Sequence, residues 1–207
     1  LAIRFSMVVA IPAAVGLGVM AAPLIPLLFG KSELAVHIMQ LGCLSVVLYS
    51  LSTVSNAILQ GTNHMQVPVM HAALSLGIHV LTLEVLLRIF ELGIVGVVIA
   101  DMVFALSMCI LNAASLHSLL HYRQEIRRSF FLPAFCAALM GLVTAGAKIF
   151  LKRFTGRVVL YTLVPIFLAV AVYGALLLLT GAIRENELLR FPKGESLCRL
   201  ARKLHLI

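Results

Sequence analysis

Chemistry in this chain has to come from a few polar side chains set within long apolar runs. His71, Ser75 and His79 recur at four-residue steps, so they share one helical face, and Thr82 continues it. Two histidines two turns apart fall short of a zinc site, which needs further ligands, and none stands nearby. Two roles remain open for them: hydrogen bonding between helices, or a place in a proton or substrate pathway. Asp101 lies about ten residues into an apolar run, with Ala105, Cys109 and Asn112 continuing its face. A carboxylate at that depth must find a partner, take up a proton or face water, which makes Asp101 either a coupling carboxylate or a structural one. Glu84 and Arg88 have the i, i+4 spacing, acid first, of a structural ion pair.

The longest polar series is Ser45, Tyr49, Ser52, Asn56 and Gln60, again on one helical face. One side of that helix is expected to be wet or covered by protein, and with His71 and His79 it supplies the candidate lining of a substrate cavity. Enzyme signatures are missing: there is no Walker A loop, HExxH, GxSxG, dinucleotide-binding glycine pattern or carboxylate pair at catalytic spacing. The chain reads as a non-enzyme with no metal and no cofactor.

The elements that position these groups follow from composition. Hydrophobic residues make up 62% of the 207 and charged residues 12%, with a mean hydropathy of +1.10, whereas soluble domains average roughly 45–50% apolar and about 25% charged. The apolar residues arrive in runs long enough to cross a hydrocarbon core of about 30 Å. Lipid tolerates no unpaired backbone, so the expected fold is all-α: a polytopic membrane bundle of about six transmembrane helices. The spans are expected at Phe5 to Phe29, Leu34 to Leu59, Val67 to Phe90, Leu92 to Leu119, Phe131 to Phe150 and Val158 to Ile183. Six spans put both ends of the chain on one side.

With the N-terminus inside, Arg4, Arg123, Arg127, Arg128 and the basic tail face the cytoplasm, ten basic residues against six outside. The bias sets both termini as cytoplasmic, although Lys148, Lys152, Arg153 and Arg157 between the last two spans oppose it. Beyond Arg184 the pattern changes. Leu197, Leu200, Ala201 and Leu204 recur at helical spacing beside Arg199, Arg202 and Lys203, which suits a short helix lying on anionic lipid. The net charge of +8 is thus assigned to lipid head groups, not nucleic acid, since no interleaved basic and aromatic surface forms. Cys43, Cys109, Cys136 and Cys198 have no paired spacing and read as small apolar fillers. Gly93, Gly96 and Ala100 on the fourth span, and Gly16 with Gly18 on the first, are expected to let neighbouring backbones approach. Pro12, Pro23 and Pro26 are expected to bend or break the first span. The chain opens on Leu1, with neither a basic n-region nor a small-residue cleavage site, and is expected to be part of something longer.

The run Ala10-Ile11-Pro12-Ala13-Ala14-Val15-Gly16-Leu17, continuing through Ala22-Pro23-Leu24-Ile25 to Leu27-Leu28-Phe29-Gly30, resembles a segment of the bacterial flippases related to stage V sporulation protein B and the lipid II flippase. These belong to the multidrug, oligosaccharidyl-lipid and polysaccharide exporter superfamily. Ser52-Thr53-Val54, Ile58-Leu59-Gln60-Gly61 and Val67-Pro68-Val69 are similar to the same family, as is Phe191-Pro192-Lys193-Gly194 ahead of the basic tail. The loop Thr62 to Gln66 lacks the basic residue the family often carries there.

The resemblance implies helices nine to fourteen of fourteen. Residues 1–120 would be the later part of the C-terminal transport lobe, 121–183 two additional helices and 184–207 the cytoplasmic tail. It also implies alternating-access transport of an undecaprenyl-diphosphate-linked saccharide across the bacterial plasma membrane, for peptidoglycan, spore cortex or polysaccharide synthesis. The partner would be an N-terminal lobe holding the cationic cavity residues. The competing expectations are a cation-coupled multidrug exporter of the same superfamily and a non-transporting membrane scaffold for polysaccharide synthesis.

Overall fold

The computed structural model describes residues 2–120, 127–154 and 158–180. Six long helices account for nearly all of them: α1 (Ala2–Phe29), α2 (Glu33–Gly61), α3 (Gln66–Arg88), α4 (Gly93–Leu120), α5 (Leu132–Phe154) and α6 (Val158–Leu179). A π-helical turn, Arg127–Phe131, leads into α5. Each of the six is long and apolar enough to cross a membrane, and no strand occurs among the described residues. The polytopic all-α bundle expected from composition is the architecture found. Arg123, Arg157 and the tail with Arg199, Arg202 and Lys203 lie outside the described residues, as does the expected end of the sixth span at Ile183.

The distribution of exposure identifies the solvent. On α3 the residues with the least exposure are Pro68 and Ser75, while Met70 and Leu81 are 69% and 68% exposed. A buried serine under large exposed apolar side chains is costly in water and natural in lipid, where apolar side chains gain nothing by leaving the surface. The molecule is a multi-pass membrane protein.

In space the helices follow the order α3, α4, α2, α1, with α5 and α6 resting together on the far side of α1. The main apolar core lies where α1 meets α5 and α6, around Ile3, Met7, Ile11, Cys136, Met140, Tyr173 and Leu177. α1 thus joins a four-helix unit to a two-helix unit.

Small residues mark some of the close approaches. A Cβ on Gly141 would sit 2.8 Å from Val15 Cγ1, one on Gly18 3.2 Å from Cys43 Sγ, and one on Gly96 3.2 Å from Leu86 Cβ. Two other glycines have different roles from those expected. Nothing lies within 4 Å of where a Gly16 Cβ would stand, so Gly16 opens onto space, and Gly93, with φ +54°, supplies the left-handed backbone that starts α4. Since Val15 is β-branched and stiff, Gly141→Leu is expected to push α5 from α1 and destabilise by about 1–3 kcal/mol, whereas Gly146→Ala, in open space inside the helix, should stabilise by up to about 1 kcal/mol. Thermal unfolding of the two variants in detergent makes the comparison.

Of the bend or break expected from the prolines, the break is not found. α1 is a continuous helix from Ala2 to Phe29 with Pro12, Pro23 and Pro26 inside it, so the span is not broken.

Candidate functional site

The polar face of α2 meets two different environments along its length. Towards its middle it packs on α4. Asn112, fully buried on α4, donates from Nδ2 to Asn56 Oδ1 at 2.7 Å and to the Ser52 carbonyl at 3.3 Å. A carbonyl can only accept, so this second bond fixes the orientation of the Asn112 amide. Asn112 Oδ1 is then the acceptor for His71 Nδ1, 2.8 Å away on α3. With Nδ1 as donor, the neutral ring has an acceptor at Nε2, and the Ser115 hydroxyl donates to it at 3.2 Å. Cys109 extends the same α2–α4 seam, donating from Sγ to the Leu48 carbonyl at 3.1 Å. Ser52, Asn56 and His71 therefore take part in a polar lock joining α2, α3 and α4. Asn112, the centre of that lock, was legible only as a residue continuing the face of Asp101.

In the middle of α2, towards α1, the surface opens. Ser45, Tyr49, Ser50 and Thr53 line a groove of about 500 Å³ closed on the other side by Ser6 of α1. The Tyr49 hydroxyl donates to Asp101 Oδ1 at 3.4 Å, a long bond between two exposed side chains. Phe104 stands between Tyr49 and His79, with ring centroids 6.3 and 6.0 Å away, the His79 contact being edge-on. Asp101 of α4 is thus tied to the groove only through Tyr49, which both lines it and reaches the carboxylate. At the end of α2, Gln60 is exposed beside the helix terminus. Along α3, Ser75 Oγ and His79 Nδ1 are buried with no hydrogen-bond partner among the described residues.

Glu84 and Arg88 stand 3.2 Å apart on the exposed end of α3, with side chains 52% and 79% exposed. A pair open to the surface at i, i+4 contributes little. Arg88→Ala is therefore expected to change unfolding stability by less than about 0.5 kcal/mol.

A second groove, about 710 Å³, runs between α1, α5 and α6 with an entirely apolar lining that includes Pro12, Gly16, Met20, Ile166 and Tyr173. It explains the open space at Gly16. Sequence reasoning missed it because its walls are the same aliphatic residues that face lipid elsewhere.

A search of curated proteins finds that the chain is 32% identical over 193 residues to a protein of Bdellovibrio bacteriovorus named as a probable lipid II flippase MurJ. The match takes in 86% of this chain and 36% of the relative, so the chain spans about a third of that protein's length. No family model matches, and no solved structure matches. The resemblance read from the sequence is thus met again over most of the chain, as a similarity to about a third of a probable lipid II flippase.

Proposed function

We propose that this lipid II flippase-like chain is part of a transporter that moves an undecaprenyl-diphosphate-linked cell-wall precursor across the bacterial plasma membrane. The observation that carries the proposal is the 32% identity to a probable lipid II flippase over 86% of the chain. The structure adds two surfaces of the right chemistry, both bordering α1. The groove with Ser6, Ser45, Tyr49, Ser50 and Thr53 offers hydroxyls to a sugar or peptide head group, and its Tyr49 hydroxyl bonds to the Asp101 carboxylate. The groove between α1, α5 and α6 presents only hydrocarbon and suits an aliphatic chain.

In this reading the chain performs no covalent chemistry, and Ser45 and Tyr49 are the substrate-facing members of the α2 series. The lock through Asn112 holds the wall rigid. An N-terminal lobe of the same protein supplies the opposing wall and the cations for the diphosphate. Both termini of this chain are cytoplasmic, which puts the tail with Arg199, Arg202 and Lys203 against the anionic inner leaflet. Peptidoglycan precursor is the substrate favoured by the relative's name, and spore cortex is a narrower form of the same assignment.

Complementation tests it. Cells depleted of their own lipid II flippase receive the full-length protein, and lipid II exposed on the outer leaflet is measured. Restored exposure is the expected result; no restoration by a well-expressed protein would move the assignment to another lipid-linked saccharide or to drug export.

A further inference from the structure

Proline has no N–H, so inside a helix it leaves the carbonyl four residues back without its α-helical donor. Pro12 and Pro23 do this to Val8 and Val19 of α1. In lipid no water replaces the missing donor, and an unmet carbonyl is costly. These same two carbonyls each receive a side chain from another helix. The Tyr173 hydroxyl of α6 donates to the Val8 carbonyl at 2.7 Å, and the Lys148 ammonium of α5 donates to the Val19 carbonyl at 2.8 Å.

We infer that Pro12 and Pro23 are docking sockets: each frees one carbonyl of α1, and α6 and α5 are pinned to α1 by the side chains that take them. Residue type explains the choice of pins. Tyrosine brings an apolar body with a donor at its tip, and lysine brings a long stem that carries its charge to the acceptor. The sockets are eleven residues apart, about 16 Å along the helix at 1.5 Å per residue. Two pins at that separation fix both the depth and the tilt of the α5–α6 pair. The Gly141–Val15 approach lies between them, so α1 and α5 run parallel in tight register. A transport movement that slid α1 past α5 and α6 would strand both carbonyls in hydrocarbon, so the three helices travel as one body. This holds whatever substrate the protein carries.

The inference makes each pin's value depend on its proline, which a general packing role would not. The test is thermal unfolding of the full-length protein in detergent. In the parent, Tyr173→Phe should lower the midpoint by about 3–6 °C, since it leaves a buried acceptor unmet. With Pro12→Ala, which restores the N–H to Val8, the same substitution should have less than a third of that effect. Lys148→Met should show the same dependence on Pro23→Ala. Crossed combinations, such as Tyr173→Phe with Pro23→Ala, should be additive because the sites are distant. Pro12→Ser and Pro23→Ser restore the N–H with a different side chain and should repeat the pattern. A Tyr173→Phe protein recovered only when Pro12→Ala accompanies it supports the pairing in its strongest form. Equal losses in proline and alanine backgrounds overturn the inference.

Discussion

Asn112→Leu is expected to be among the most damaging single substitutions in the four-helix unit, although it replaces a polar residue in a membrane protein by an apolar one of similar size. The side chain is fully buried, and its amide holds Asn56, the Ser52 carbonyl and His71 together across three helices. Leucine fills the volume but leaves the Asn56 amide oxygen without its donor and the His71 N–H without its acceptor. Interhelical hydrogen bonds in lipid contribute about 0.6 kcal/mol on average and about 1.7 at most, while a buried unsatisfied group costs about 1–3 kcal/mol. Stranding two groups thus predicts a loss of about 2–4 kcal/mol. Unfolding in detergent should show it. The diagnostic is non-additivity: with Asn56→Leu already present, Asn112→Leu should cost markedly less, because one of the stranded groups is gone. An unchanged cost would mean that leucine is rejected on shape and that the lock is not what holds α2 to α4.

The same residues show how far a sequence carries. Spacing places Ser45, Tyr49, Ser52, Asn56 and Gln60 on one face, and they do share one, because helical periodicity is local and needs no knowledge of neighbours. What covers that face is not local. α4 crosses α2 so that Ser52 and Asn56 meet Asn112 and Tyr49 meets Asp101, whereas Ser45 and Tyr49 also line a groove shared with Ser6 of α1 and Gln60 reaches the helix end. The spacing alone does not tell the members that bond to α4 from those that line the groove. The prolines of α1 teach the same lesson. Their missing donors are legible at once and suggest a bend or break, but Tyr173 and Lys148 lie more than a hundred residues away. Nothing in their own surroundings marks them as the replacements. Apolar faces are the least legible of all, since leucine against lipid and leucine lining the α1–α5–α6 groove are identical in a sequence.

On the proposed function, the groove in the middle of α2 predicts the largest effect on transport with the smallest effect on folding. Ser45→Phe places a ring in a space of about 500 Å³ already shared by Tyr49, Ser50, Thr53 and Ser6. No hydrogen bond of the Asn112 lock involves Ser45, so the unfolding midpoint should stay within about 2 °C of the parent's. Outer-leaflet lipid II, measured in the depleted cells, should fall at least tenfold, about 1.4 kcal/mol in the barrier or in binding.

Asp101→Asn makes the informative companion. The amide oxygen still accepts from Tyr49, at a site where the observed bond is 3.4 Å, so the substitution removes charge and keeps shape. If the groove receives a neutral sugar or peptide surface, Asp101→Asn should retain flipping within about threefold. A loss as deep as that of Ser45→Phe, at equal protein levels, would instead mark Asp101 as a charge the transport cycle uses, and would favour cation-coupled export over lipid flipping. Unimpaired flipping by Ser45→Phe would remove the groove from the substrate's path altogether.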